Sequence, residues 1–145
     1  MKDVVIIVET FNAPVERVWE AITDKDKMKM WYFDLDEFKA QVGFSFRFPG
    51  SGHKGESYIH ICEVTEVVVH KRLQYSWRYE NLDGISFVTF ELFADGAETR
   101  LKLTHTGLDS FPSHPDFARE SFSSGWSQIL HTSLKRFIDE TQTEN

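Results

Sequence analysis

The sequence predicts an α+β fold in which a curved antiparallel sheet is covered on one face by a long C-terminal helix. Three observations predict it. Segments with period-two alternation fill the middle of the chain, short turn-like separators join them, and one extended amphipathic segment closes the chain from about Pro115 to Glu140.

The elements follow in order. Val4 to Phe11 is apolar and β-branched, as a first strand should be. Asn12-Ala-Pro-Val-Glu16 then offers Asn12 as an N-cap and a proline within the first helical turn, and Val15, Val18, Trp19 and Ile22 recur on one helical face. Thr23 to Asp26 interrupts that face, and a second short helix is expected around Lys27 to Trp31. Six strands should follow: Asp36–Ala40, Phe44–Phe48, Tyr58–Val69, Leu73–Glu80, Ile85–Ala94 and Thr99–Thr106. The separators Gly43, Pro49-Gly50-Ser51-Gly52, His70-Lys71, Asn81-Leu82-Asp83-Gly84 and Asp95-Gly96 are short and turn-like, which makes the strands an antiparallel meander.

Alternation assigns the faces. Phe44, Phe46 and Phe48 share one side, as do Leu73, Tyr75, Trp77 and Tyr79, then Val88, Phe90 and Leu92, then Leu101, Leu103 and His105. Ser45, Arg47, Gln74, Ser76, Arg78, Arg100, Lys102 and Thr104 face the other way, so one sheet face is aromatic and one polar. The closing helix carries a matching stripe in Phe122, Trp126, Ile129, Leu130, Ser133, Leu134, Phe137 and Ile138. Gly125 sits in its middle, where glycine weakens a helix by about 1 kcal/mol relative to alanine, so a close approach of backbone or ligand is expected there.

The order strand, two helices, six antiparallel strands and long helix is the helix-grip arrangement. Asn12 to Asp24 ending in Met30-Trp31, Leu73 to Trp77, Val88 to Leu92, Thr99 to His105, Gly125-Trp126 and Leu134 to Phe137 resemble the family of proteins similar to the activator of the ninety-kilodalton heat-shock protein ATPase. That family belongs to the START and birch-pollen-allergen-like superfamily. The resemblance runs from about Val4 to Asp139 and implies a single domain over residues 1–145 with an apolar cavity between sheet and helix. It also implies three classes of role: binding of a lipid, polyketide-like or aromatic metabolite; a co-chaperone-like interaction; or cyclase, dehydratase or hydrolase chemistry. Named co-chaperone members carry an additional N-terminal domain, whereas here the first strand begins at Val4, so direct chaperone activation is not the leading expectation.

Composition narrows the partners. At 145 residues with 41% hydrophobic content, the chain can bury one substantial core, and its 13 phenylalanines, four tryptophans and four tyrosines need a core, pocket or interface. A net charge of −7 with only short basic pairs argues against nucleic acid and anionic membranes. The single Cys62 excludes an internal disulfide, no apolar run is of membrane-spanning length, and the start lacks a signal pattern; a cytoplasmic location fits. An apolar small molecule is the expected partner, with a chaperone or a second copy of the chain as further options.

No phosphate loop, dinucleotide fingerprint, zinc-protease helix or serine elbow is present, so no cofactor and no metal are expected. Trp31, Phe46, Tyr75, Trp77, Tyr79, Phe90, Trp126 and Ile129 are the expected ligand-binding set. His105 joins them from the inner face, where a ring nitrogen could orient a ligand or transfer a proton, with Tyr75 or Tyr79 beside it. His60 lies in a strand apolar on both faces, which leaves its direction open, and His53, His70, His114 and His131 are scattered singly. Asp109, His114 and Asp116 match no ligand spacing and suit loop capping better than metal binding.

Overall fold

A computed structural model describes residues 4–52 and 54–142; His53 lies outside the described residues. Strand β1 (Val5–Phe11) is followed by helices α1 (Val15–Thr23) and α2 (Lys25–Trp31). Strands β2 (Ser45–Ser51), β3 (Ser57–Val68), β4 (Arg72–Tyr79), β5 (Ser86–Asp95) and β6 (Glu98–Thr106) complete a six-stranded antiparallel sheet in the order β1-β6-β5-β4-β3-β2. The meander thus runs from β2 to β6, and β1 closes it by pairing with the last strand. A register shift between Val64 and Glu66 of β3 adds a bulge, the usual device for bending a strand.

The pairing register confirms the faces read from alternation. Val88 opposes His105 and Phe90 opposes Leu103 across β5 and β6, while Leu73 opposes Phe90 and Tyr75 opposes Val88 across β4 and β5. These side chains are buried in one core with Phe11, Val18, Ile22, Met28 and the closing helix.

Four expectations need correction. Asp36–Ala40 is not a strand: β2 is already the sheet edge, and the segment instead packs irregularly against it, with Leu35 and Phe38 buried and the Phe38 ring 5.2 Å from that of Phe46. Pro49 to Ser51 is strand rather than turn, paired with Ser57 to Ile59; an edge strand tolerates proline because its outward N–H needs no partner. Asn12 does not cap α1; Pro14 occupies that position with ψ 160°, and Asp24 caps α2 by accepting the Asp26 amide.

The fourth concerns the closing helix, which is not uniform. A 3₁₀ turn at Pro115–Phe117 precedes α3 (Arg119–Ser127), a π-helical segment Gln128–Leu134, and α4 (Lys135–Gln142). Its buried residues Phe122, Trp126, Leu130, Leu134 and Ile138 recur at a strict spacing of four. In an α-helix of 3.6 residues per turn, a four-residue spacing drifts by about 40° per step and would carry the stripe off the sheet. The wider π turns cancel that drift, so sequence spacing explains the irregular winding.

Candidate functional site

The largest side chains of the inner face do not fill the space under α3 at one end of the sheet. A pocket of about 280 Å³ remains there, lined by Phe33, Tyr58, His60, Trp77, Tyr79, Asp116, Phe117, Phe122, Trp126 and Ile129, with Ser51, Gly52, Ser121 and Gly125. That volume falls just below the usual range for ligand sites, about 300–1,000 Å³, and suits a small molecule. The C-terminal end of β4 supplies Trp77 and Tyr79, the start of β3 supplies Tyr58 and His60, and α3 forms the roof.

Four of the expected ligand-binding residues, Trp77, Tyr79, Trp126 and Ile129, meet in this pocket. The others do not. Tyr75, Phe90 and Phe46 are at most 6% exposed in the core farther along the sheet, where the Tyr75 hydroxyl is 2.7 Å from that of Tyr32. Trp31 is spent on the helices, donating its indole N–H to the Ala21 carbonyl. Gly125 meets no backbone from another element: apart from its own helical turns, a methyl group there would have no atom within 4 Å, so the residue borders open space.

His105 lies behind the pocket wall, fully buried. The Trp126 indole N–H donates to its Nδ1 at 3.0 Å, which puts the ring proton on Nε2, 2.8 Å from Ser86 Oγ, and that hydroxyl donates on to the Trp77 carbonyl. Both nitrogens are spent, and burial pushes the ring's pKa down to about 3. As placed here, His105 fixes the two pocket tryptophans and has no free atom for a substrate.

His60, whose direction alternation does not decide, turns to the pocket. Its ring stacks on Phe48 at 4.4 Å and stands edge-on to Trp77 at 4.9 Å. Nδ1 faces the Phe48 carbonyl at 3.2 Å and must donate to it, which leaves Nε2 as a lone-pair acceptor. Burial, only partly opposed by that hydrogen bond, lowers the pKa to about 4, so the ring is neutral near pH 7. Gly50 makes this placement possible, because a methyl group there would overlap His60 Cε1.

The pocket rim is polar. The Tyr58 hydroxyl donates to Asp116 Oδ2 at 2.7 Å, an interaction that raises the tyrosine pKa to about 12. Gly52 admits the Asp116 carboxylate, which a side chain at that position would displace. Glu56, His114 and Asp116 bring potential metal-ligand atoms within 4.8 Å of one another. His114 Nδ1, however, accepts the Asp116 amide at 3.0 Å and so keeps its proton on Nε2, the nitrogen turned toward Glu56; this is the geometry of a loop cap. Cys62 is buried, which pushes its thiol pKa up and keeps it protonated.

A curved antiparallel sheet gripping a long helix, with an aromatic pocket between them, places the chain in the START and birch-pollen-allergen-like superfamily. Within it the chain belongs to the family described as activator of Hsp90 ATPase homolog 1-like protein, whose family model matches residues 12–139. Protein MLL2253 from Mesorhizobium loti has a similar structure, with 28% identity and a TM-score of 0.76 over 95% of this chain and 98% of that one. CalU16 from Micromonospora echinospora is 25% identical, with a TM-score of 0.72 over 97% and 79% of the two chains. DynU16, titled a putative protein in the dynemicin biosynthetic locus, shares the fold at 24% identity and a TM-score of 0.78; the match covers 96% of this chain and about half, 48%, of that one. No curated protein matches the sequence.

Proposed function

We propose that the chain binds a small, largely apolar molecule in the pocket beneath α3. The observation that carries this reading is the pocket itself: aromatic walls from Phe33, Trp77, Tyr79, Phe117, Phe122 and Trp126, interrupted by a few polar groups, at a volume suited to a small metabolite. Family membership supports it. A catalytic role through His105 is disfavoured by the sealing of both its nitrogens. No helix among the described residues is long and apolar enough to cross a membrane.

Two tryptophans in the pocket wall give the test its signal. Titration with a panel of aromatic, polyketide-like and lipid compounds should change tryptophan emission saturably, and native mass spectrometry should show a one-to-one complex. Trp126→Ala should weaken that complex. A panel that leaves emission and mass unchanged contradicts the reading.

A further inference from the structure

The polar groups of the pocket differ in how completely they are used. His60 is 8% exposed and lines the cavity, yet Nε2 has no hydrogen-bond partner among the described residues, because Nδ1 alone is bonded, to the Phe48 carbonyl. Every fully buried polar side-chain atom among the described residues does have a partner. The free Nε2 is therefore not sealed in the core, and the cavity that its ring lines is where a ligand can reach it. An acceptor left unpaired on a ring that lines a cavity is available to whatever donor enters it.

Tyr79 supplies the complementary half. Its ring centroid lies 4.8 Å from that of His60 and it lines the same pocket. Its oxygen accepts the Trp77 indole N–H at 2.9 Å, so its own proton is left to donate. Burial raises the Tyr79 pKa, which keeps that proton in place at neutral pH.

His60 and Tyr79, neighbouring rings of the pocket lining, thus offer it one acceptor and one donor, and these define what fits. A hydroxyl group is the smallest function that can donate to Nε2 and accept from a tyrosine at once. A ketone or ether accepts only. A carboxylate directs negative charge at a lone pair, next to the Asp116 carboxylate at the rim. The walls on either side are rings, which favour a flat partner. Building on the proposed binding function, we infer that the pocket selects neutral aromatic molecules bearing a hydroxyl group, which donates to His60 Nε2 and accepts from Tyr79.

Four matched probes test this: 2-naphthol, 2-methoxynaphthalene, 2-naphthoate and naphthalene, titrated at pH 7 with tryptophan emission as the readout. 2-Naphthol should bind about tenfold more tightly than 2-methoxynaphthalene, and 2-naphthoate should bind most weakly. In His60→Phe the naphthol advantage should vanish while naphthalene binding persists. In the unaltered protein, naphthol should also shift the His60 Nε2 resonance and naphthalene should not, a readout that needs no variant to fold. Equal affinities across the set, or a naphthol preference that survives His60→Phe, overturn the inference and leave apolar binding standing. If naphthalene too fails to bind, the pocket reading falls along with it.

Discussion

His105 and His60 stand on the same inner face of one sheet, yet they are finished differently. His105 has a donor on one nitrogen and an acceptor on the other, and its ring is closed off by Trp126 and Phe122 at 6.0 and 5.0 Å. His60 is bonded through one nitrogen and borders a cavity with the other. Inward direction alone therefore does not make a histidine functional. What matters is whether the surrounding elements use up both of its nitrogens.

Replacing His105 should have the largest effect on stability. His105→Ala removes a packed ring and strands the Trp126 indole N–H, so unfolding free energy should fall by roughly 3–5 kcal/mol in denaturant titrations. His60→Phe, which keeps a ring in place, should cost far less. Equal losses would erase the contrast.

Acid should come next. Both rings have pKa values lowered from 6.5, to about 3 for His105 and about 4 for His60. Between those values and 6.5 the unfolded chain binds protons that the folded chain refuses. Stability is therefore fully present above pH 6.5 and is lost as pH falls toward 4, by roughly 1.4 kcal/mol per pH unit from each ring. His60→Phe should remove one of the two slopes, which denaturation at a series of pH values will show.

Two glycines sharpen the picture further. Gly50→Ala drives a methyl group into the His60 ring and should lower stability by about 1–3 kcal/mol while disturbing the pocket. Gly125→Ala points a methyl group into open space beside a helix, and should raise stability by about 0.5–1 kcal/mol; denaturant titration of both variants checks the opposite signs. A destabilised Gly125→Ala would mean that the roof packs more tightly than described.

The contrast also marks what could be read from the sequence. Period-two alternation identified the strands and their buried face because an antiparallel sheet covered on one side imposes that pattern directly. It could not say which end of that face stays open, since this depends on where the closing helix and the Pro115–Phe117 turn come to rest. Trp77 and Tyr79 were thus legible, but so were Tyr75 and Phe90, which share their alternation and end in the core. Tyr58, Phe117 and Asp116 were not, because they reach the pocket from a strand start and a loop. The one available signal was Pro49-Gly50-Ser51-Gly52, whose small residues read as a turn but in fact make room for His60 and Asp116.

Long-range proton–nitrogen correlation NMR of the histidine side chains, at pH 7 without ligand, tests the central claim most directly. Opposite tautomers are expected: the proton of His105 on Nε2 and that of His60 on Nδ1, with both rings neutral. A His60 ring that carries its proton on Nε2, or that is charged at this pH, would contradict the account.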